Sequence, residues 1–129
     1  MNNLYFEKVQ NVFFSPEVKF NAQTGLCEMN GESFLENTLQ FYKNLLDWLS
    51  TYTFEVGGPI DFHFRITYFN TSSARSILDL LALLKEYQDT GKSVVFNWYY
   101  EPTNKESMLE DVEDFESESG LKINFLPLV

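Results

Sequence analysis

One cysteine, one histidine and nine basic side chains against nineteen acidic ones are the first things to notice, because each shortage excludes something. Cys27 alone permits no internal disulfide and no cysteine-based metal site. The formal charge of −10 repels phosphate backbones, so no nucleic-acid partner is expected. No apolar run approaches the roughly 20 residues of a membrane span. The opening stretch, MNNLYFEKVQNVFF, lacks the basic region, apolar run and small-residue cleavage site of a secretory signal. A cytoplasmic protein with no membrane insertion is therefore expected. The 6 glycines and 4 prolines gather into no linker, and there is no repeat or low-complexity segment.

What is present is apolar and aromatic. The chain is 44% hydrophobic and 17% aromatic, with 13 phenylalanines, which is too apolar for disorder. Its 129 residues suit one domain with one core, residues 1–15 forming an N-terminal extension. Val18 and Phe20 lead to a turn closed by Gly25, and Leu26 to Met29 return, which reads as a hairpin. A first helix is expected from GESFLEN onward, with Ser33 and Glu36 spaced as a capping box and a stripe that includes Leu39, Tyr42, Leu46 and Leu49.

In IDFHFRITYF, Ile60, Phe62, Phe64, Ile66 and Tyr68 share one face of a strand, while Asp61, His63, Arg65 and Thr67 share a wetter one. A leucine-rich helix follows and stops at Gly91, then a strand through Val94, Phe96, Trp98 and Tyr100. An acidic helix with Leu109, Val112 and Phe115 inward and a final strand in LKINFLPL complete the chain. The order β-β-α-β-α-β-α-β predicts a mixed sheet of about four to five strands, with an edge hairpin, parallel right-handed crossovers and helices mainly on one face.

Few residues offer catalytic chemistry. His63 has no nucleophile beside it in the pattern and reads as a satisfied surface histidine. Cys27 has no basic neighbour to lower its pKa and reads as a packed thiol. VGGPI lacks the spacing and lysine of a phosphate loop, and no loop has an EF-hand pattern. No catalytic residue, metal or cofactor is expected. The carboxylates of ESMLEDVEDFESESG read first as a solvated helix face, and second as a docking surface for a basic partner.

The run Asn70, Thr71, Ser72, Ser73 falls between the alternating strand and the leucine-rich helix. Asn, Ser and Thr are ordinary N-caps, but one cap needs one residue. A helix start also favours an anion, and a phosphate there could pair with Arg75. The breadth of the following apolar stripe leaves two readings: burial by neighbouring helices, or an apolar partner patch beside the hydroxyls. Leu78 and Ala82 lie on the Arg75 side of that helix at helical spacing.

Three segments carry a resemblance: GESFLEN (Gly31 to Asn37), YFNTSS (Tyr68 to Ser73) and FNWYY (Phe96 to Tyr100). In order and spacing, from about Pro16 onward, they resemble the SiaC family of regulatory phosphoproteins, and more distantly the STAS domains of anti-anti-sigma factors. The resemblance implies a STAS-like, non-enzymatic switch phosphorylated on Thr71 by a kinase and reset by a phosphatase. It also implies a downstream target, in some members a diguanylate cyclase. Partner contacts are expected at Arg75, Leu78 and Ala82, and in the first segment at Glu36 and Asn37. Phe34 and Leu35 stand where the family usually has Tyr and Pro. Asn70 and Ala74 stand where the sigma-factor relatives have Asp and Gly, so the sigma-factor pathway itself is not implied. The alternative is a STAS-like carrier of an apolar small molecule, using an aromatic pocket. A phosphotransfer enzyme would need a base beside the hydroxyls, and the pattern supplies none.

Overall fold

A computed structural model describes all 129 residues. Its strands are β1 (Leu4–Phe6), β2 (Val9–Gln10), β3 (Phe14–Ser15), β4 (Glu17–Phe20), β5 (Leu26–Ser33), β6 (Ile60–Phe69), β7 (Val94–Tyr100) and β8 (Asn124–Pro127). Its helices are α1 (Thr38–Glu55), α2 (Thr71–Asp89) and α3 (Lys105–Ser119). Six strands form one sheet in the order β1-β4-β5-β6-β7-β8, and β2 pairs with β3 in a separate ribbon. The β4–β5 hairpin is antiparallel as expected, with Val18 opposite Met29 and Phe20 opposite Cys27. The pairs β5–β6, β6–β7 and β7–β8 are parallel, each crossing over through one helix. The sixth strand, β1, comes from the segment 1–15: it pairs antiparallel with β4 at the sheet edge.

The helices lie on one face, as the alternation of β6 requires. Ile60, Phe62, Phe64 and Ile66 are buried beneath them, whereas His63, Arg65 and Thr67 are half-buried on the open face. The broad apolar stripe of α2 is explained by its place between α1 and α3. Ile77, Leu80, Leu81 and Leu84 are fully buried, and Leu78 and Leu83 pack against the core from the flanks. From α3, Val112 and Phe115 point inward with Met108, while Leu109 is only half-buried. Aromatic pairs fill the centre: Phe62 stacks on Phe96 at 4.9 Å, and Phe64 meets Trp98 at 4.4 Å.

Three local expectations are corrected. The first helix begins at Thr38, not in GESFLEN, because β5 runs on to Ser33 in register with Phe69 of β6, and Phe34 then bridges to Phe14. Ser33 and Glu36 therefore form no capping box; Asn37 is the cap, its side chain accepting from the Gln40 N–H at 3.3 Å. Tyr68 is not buried with Phe64 and Ile66. The β5–β6 register slips between Gly31, opposite Ile66, and Glu32, opposite Tyr68, so Thr67 is an extra residue. A bulge reverses the alternation beyond it. Tyr68 is left exposed, and Phe69 packs on Trp98 and Phe115 instead. Leu39, assigned to the apolar stripe of α1, is 74% exposed on its first turn.

Candidate functional site

The parallel strands β5 and β6 end side by side, and the helices that follow them start there. Asn70 caps α2: its Oδ1 accepts from the Ser73 N–H at 3.0 Å and from the Ser72 hydroxyl at 3.2 Å. The N–H of Asn70 donates to the Ser33 carbonyl at 3.1 Å, which ties the cap to the end of β5. The first turn of α2 thus begins two residues earlier than the leucine-rich pattern alone suggests, with Thr71, Ser72 and Ser73 all inside it.

The hydroxyls differ sharply in what they do. Ser73 is completely buried; its Oγ donates to the Ser33 carbonyl at 3.0 Å and accepts from Ser33 Oγ at 2.8 Å. Since Ser33 Oγ has spent its proton on Ser73, the Tyr42 hydroxyl, 2.8 Å away, must donate to Ser33. Burial pushes the Tyr42 pKa up to about 12, so the phenol stays a donor. Ser72 Oγ lies 2.8 Å from Thr38 Oγ1, joining the start of α2 to the start of α1. Thr71 alone is exposed with its hydroxyl engaged by no other group of the chain.

Two helix N-termini therefore converge beside Thr71. Each carries roughly half a positive charge from its aligned peptides, and the first N–H groups of α2 have no intrahelical acceptor. An anion attached to Thr71 would meet donors already in place. Arg75, one turn on, is exposed, and its Nε lies 3.4 Å from Asp79 Oδ1. Thr71, Arg75, Leu78 and Ala82 follow one another along one side of α2. Ala82 is exposed, whereas Leu78 is half-buried in a cleft between α2 and α3. Glu36 and Asn37 lie on the other flank, at the start of α1, where Asn37 is occupied as a cap.

The sequence pattern gives no sign of three contributors: Ser33, which it assigns to a cap, Tyr42, which it assigns to a core stripe, and Thr38. It also hides an exposed aromatic ladder beside the site, in which Phe13 stacks on Phe34 at 5.8 Å and Phe34 meets Tyr68 at 6.3 Å. The three segments that carry the family resemblance meet here: Ser33 and Phe34 touch the YFNTSS segment, and Phe69 packs edge-on against Trp98 at 6.0 Å.

The remaining candidates lie elsewhere. His63 stands on the open sheet face between Tyr99, 2.8 Å from its Nδ1, and Asp61, 3.2 Å from its Nε2. Arg65 caps the Tyr99 ring at 4.7 Å. Cys27 is buried, and burial with the nearby Asp61 and Glu28 pushes its thiol pKa strongly up, which holds it as an unreactive thiol. No three His, Cys, Asp or Glu side chains converge on a metal-sized site, and no helix is long and apolar enough to cross a membrane.

A mixed sheet backed on one face by three helices, with a hydroxyl cluster where the central strand passes into its helix, defines a small mixed α/β domain. The chain belongs to the SiaC family of regulatory phosphoproteins, whose family model matches residues 9–128. It is 30% identical, over 115 residues, to an uncharacterised protein of Pseudomonas aeruginosa strain UCBPP-PA14; the match covers 89% of this chain and 88% of that protein. Among solved structures it is similar to apo-SiaC from Pseudomonas aeruginosa, with a TM-score of 0.87 at 26% identity, covering 98% of this chain and 99% of that one. It is also similar to a chain in the crystal structure of the diguanylate cyclase SiaD in complex with its activator SiaC from Pseudomonas aeruginosa. There the TM-score is 0.84 at 25% identity, covering 95% of this chain and 100% of that one.

Proposed function

We propose that this protein is a non-enzymatic, cytoplasmic switch whose state is set at Thr71. A kinase adds phosphate there and a phosphatase removes it. A downstream target, by analogy with the solved SiaC complex a diguanylate cyclase, binds when Thr71 is unmodified. The observation that supports this most is the contrast among four adjacent polar side chains. Asn70, Ser72 and Ser73 are engaged in holding α2 to β5 and α1, and Thr71 is left exposed and free among them.

The surroundings support this direction of the switch. Phe34, Leu39 and Tyr68 are exposed around the α1 flank of the site, and Arg75, Leu78 and Ala82 lie along the other. Neutral Thr71 lets a partner seat against the apolar neighbours. Phosphate brings about −1.5 to −2 charges to a chain already at −10. The helix start and Arg75 would hold it locally, but a partner fitted to the neutral form would have to bury or leave unpaired a charge, at a cost of several kcal/mol. The carrier alternative finds less support, since the aromatic side chains fill the core and the clefts lie at the surface.

Intact mass before and after phosphatase treatment, on protein from its own host, tests the modification: a loss of one phosphate mapped to Thr71 is expected. Binding isotherms against the purified cyclase test the direction. Wild type and Thr71→Ala should bind, and Thr71→Asp and the phosphoform should not. Tighter binding by the phosphoform would reverse the proposed direction.

A further inference from the structure

The α2–α3 cleft is built for more than neutral packing. Its floor is apolar: Phe69, Ala74, Leu78 and Phe115 line a cleft of about 370 Å³ next to Arg75. Its far rim is acidic, with Asp111, Asp114 and Glu118 of α3 facing across it. Helices α1 and α2 compensate part of their charge internally, through Lys43–Asp47, Arg75–Asp79 and Lys85–Asp89. Helix α3 does not: it carries seven carboxylates and one basic residue, Lys105, and no carboxylate of α3 is within ion-pair distance of a cation.

That arrangement opposes stability in two ways. Like charges crowd along one helix, and burial together with Asp114 and Glu110 raises the Asp111 pKa. Asp114, Glu116 and Glu118 also fall in the C-terminal half of α3, against the negative end of its dipole, and the last turn has no basic residue. Arg75, the one cation in the cleft, is already committed to Asp79. The carboxylates do not converge tightly enough to hold a metal ion. What would satisfy both rim and floor is an extended cation with an apolar side.

We propose that this cleft is a docking site for a basic amphipathic segment of a protein partner, one that sets leucine-like side chains on Ala74, Leu78 and Phe115 and lysines or arginines against Asp111, Asp114 and Glu118. Such a segment is the helix-in-groove mode of recognition with charge complementarity at one rim. The site does not depend on a neutral Thr71: a cation approaching the α3 rim is not repelled by phosphate at the start of α2. Resting on the switch reading above, this assigns the cleft to the partners that act on the phosphate: a kinase that must engage the unmodified form and a phosphatase that must engage the phosphorylated one. The partner that discriminates between the forms is the one that also covers Thr71 and the aromatic flank.

The test uses the full chain and two labelled 14-residue helical peptides with identical leucines, one flanked by lysines and one by glutamates. In anisotropy titrations at physiological salt, the lysine peptide should bind and the glutamate peptide should not. The variant Asp111→Asn, Asp114→Asn, Glu118→Gln should weaken lysine-peptide binding at least tenfold. A control that removes the same charge elsewhere, Glu7→Gln, Glu55→Gln, Glu86→Gln, should bind within threefold of wild type, as should Thr71→Asp. Equal loss in the control would reduce the effect to bulk charge and overturn the proposal. Tenfold loss in Thr71→Asp would overturn it too, since the cleft would then read Thr71 directly. A cyclase that binds Thr71→Asp as well as wild type would defeat the switch reading while leaving the peptide result standing.

Discussion

Ser33 Oγ donates a hydrogen bond to Ser73 Oγ across 2.8 Å, joining the last residue of β5 to the first turn of α2. Both residues are fully buried, so neither hydroxyl can fall back on water if the other is removed. This contact fixes where α2 starts, and therefore where Thr71 stands.

The pair should behave as one unit in unfolding experiments. Ser33→Ala strands the Tyr42 hydroxyl, and Ser73→Ala strands Ser33; each is expected to cost about 1–3 kcal/mol. The double variant should cost less than the sum by about 0.5 kcal/mol or more, because the shared bond is lost only once. Urea denaturation of the four forms measures this. Strict additivity would show that the two hydroxyls act independently.

Tyr42 predicts an alkaline weakness. The folded protein holds the phenolic proton up to about pH 12, above the ordinary value of 10, so its contribution is complete below pH 10 and is lost as pH rises toward 12. Tyr52 and Tyr87 are raised in the same direction by burial, so the wild-type decline is a sum. Tyr42→Phe should cost about 1–2 kcal/mol at neutral pH, through the donor lost to Ser33, and should flatten the fall in Tm between pH 10 and 12. An unchanged alkaline slope would show that Tyr42 ionises without penalty.

Thr71→Asp should leave the fold intact. An acidic side chain on the first helical residue is favoured by the dipole by about 0.3–1 kcal/mol, so the variant should melt at or slightly above wild type. A marked drop in Tm would mean that Thr71 packs in a way its exposure does not indicate, and any loss of target binding would then be a folding effect.

Charge insertion at Ala82 separates binding from stability. The residue is exposed in the middle of α2, so Ala82→Glu should change stability by no more than about 0.5 kcal/mol. Partner capture should weaken about tenfold if this side of α2 is a contact surface. Titration calorimetry beside a thermal melt checks both. Intact binding would place the interface on the aromatic flank alone.

From Glu17 onward the order of strands and helices was legible in the sequence because it rests on local periodicity, two for β6 and 3.6 for α2 and α3; the short strands β1, β2 and β3 carry too little periodicity to be read. The one-sided helix layer followed from the polar face of His63 and Arg65, and the place of Thr71 between strand and helix from a motif that lies within six consecutive residues. What depended on partners distant in the chain was not legible. Ser33 and Glu36 have capping-box spacing, but only the pairing of β5 with β6 decided that Ser33 ends a strand. Tyr68 keeps the alternation of Phe64 and Ile66 on paper, and a register slip against Gly31 turned it outward. Three adjacent hydroxyls, on Thr71, Ser72 and Ser73, carry similar chemistry in the sequence. Tertiary structure alone separated them, by bringing Ser33 and Thr38 close enough to occupy two and leave Thr71 to solvent.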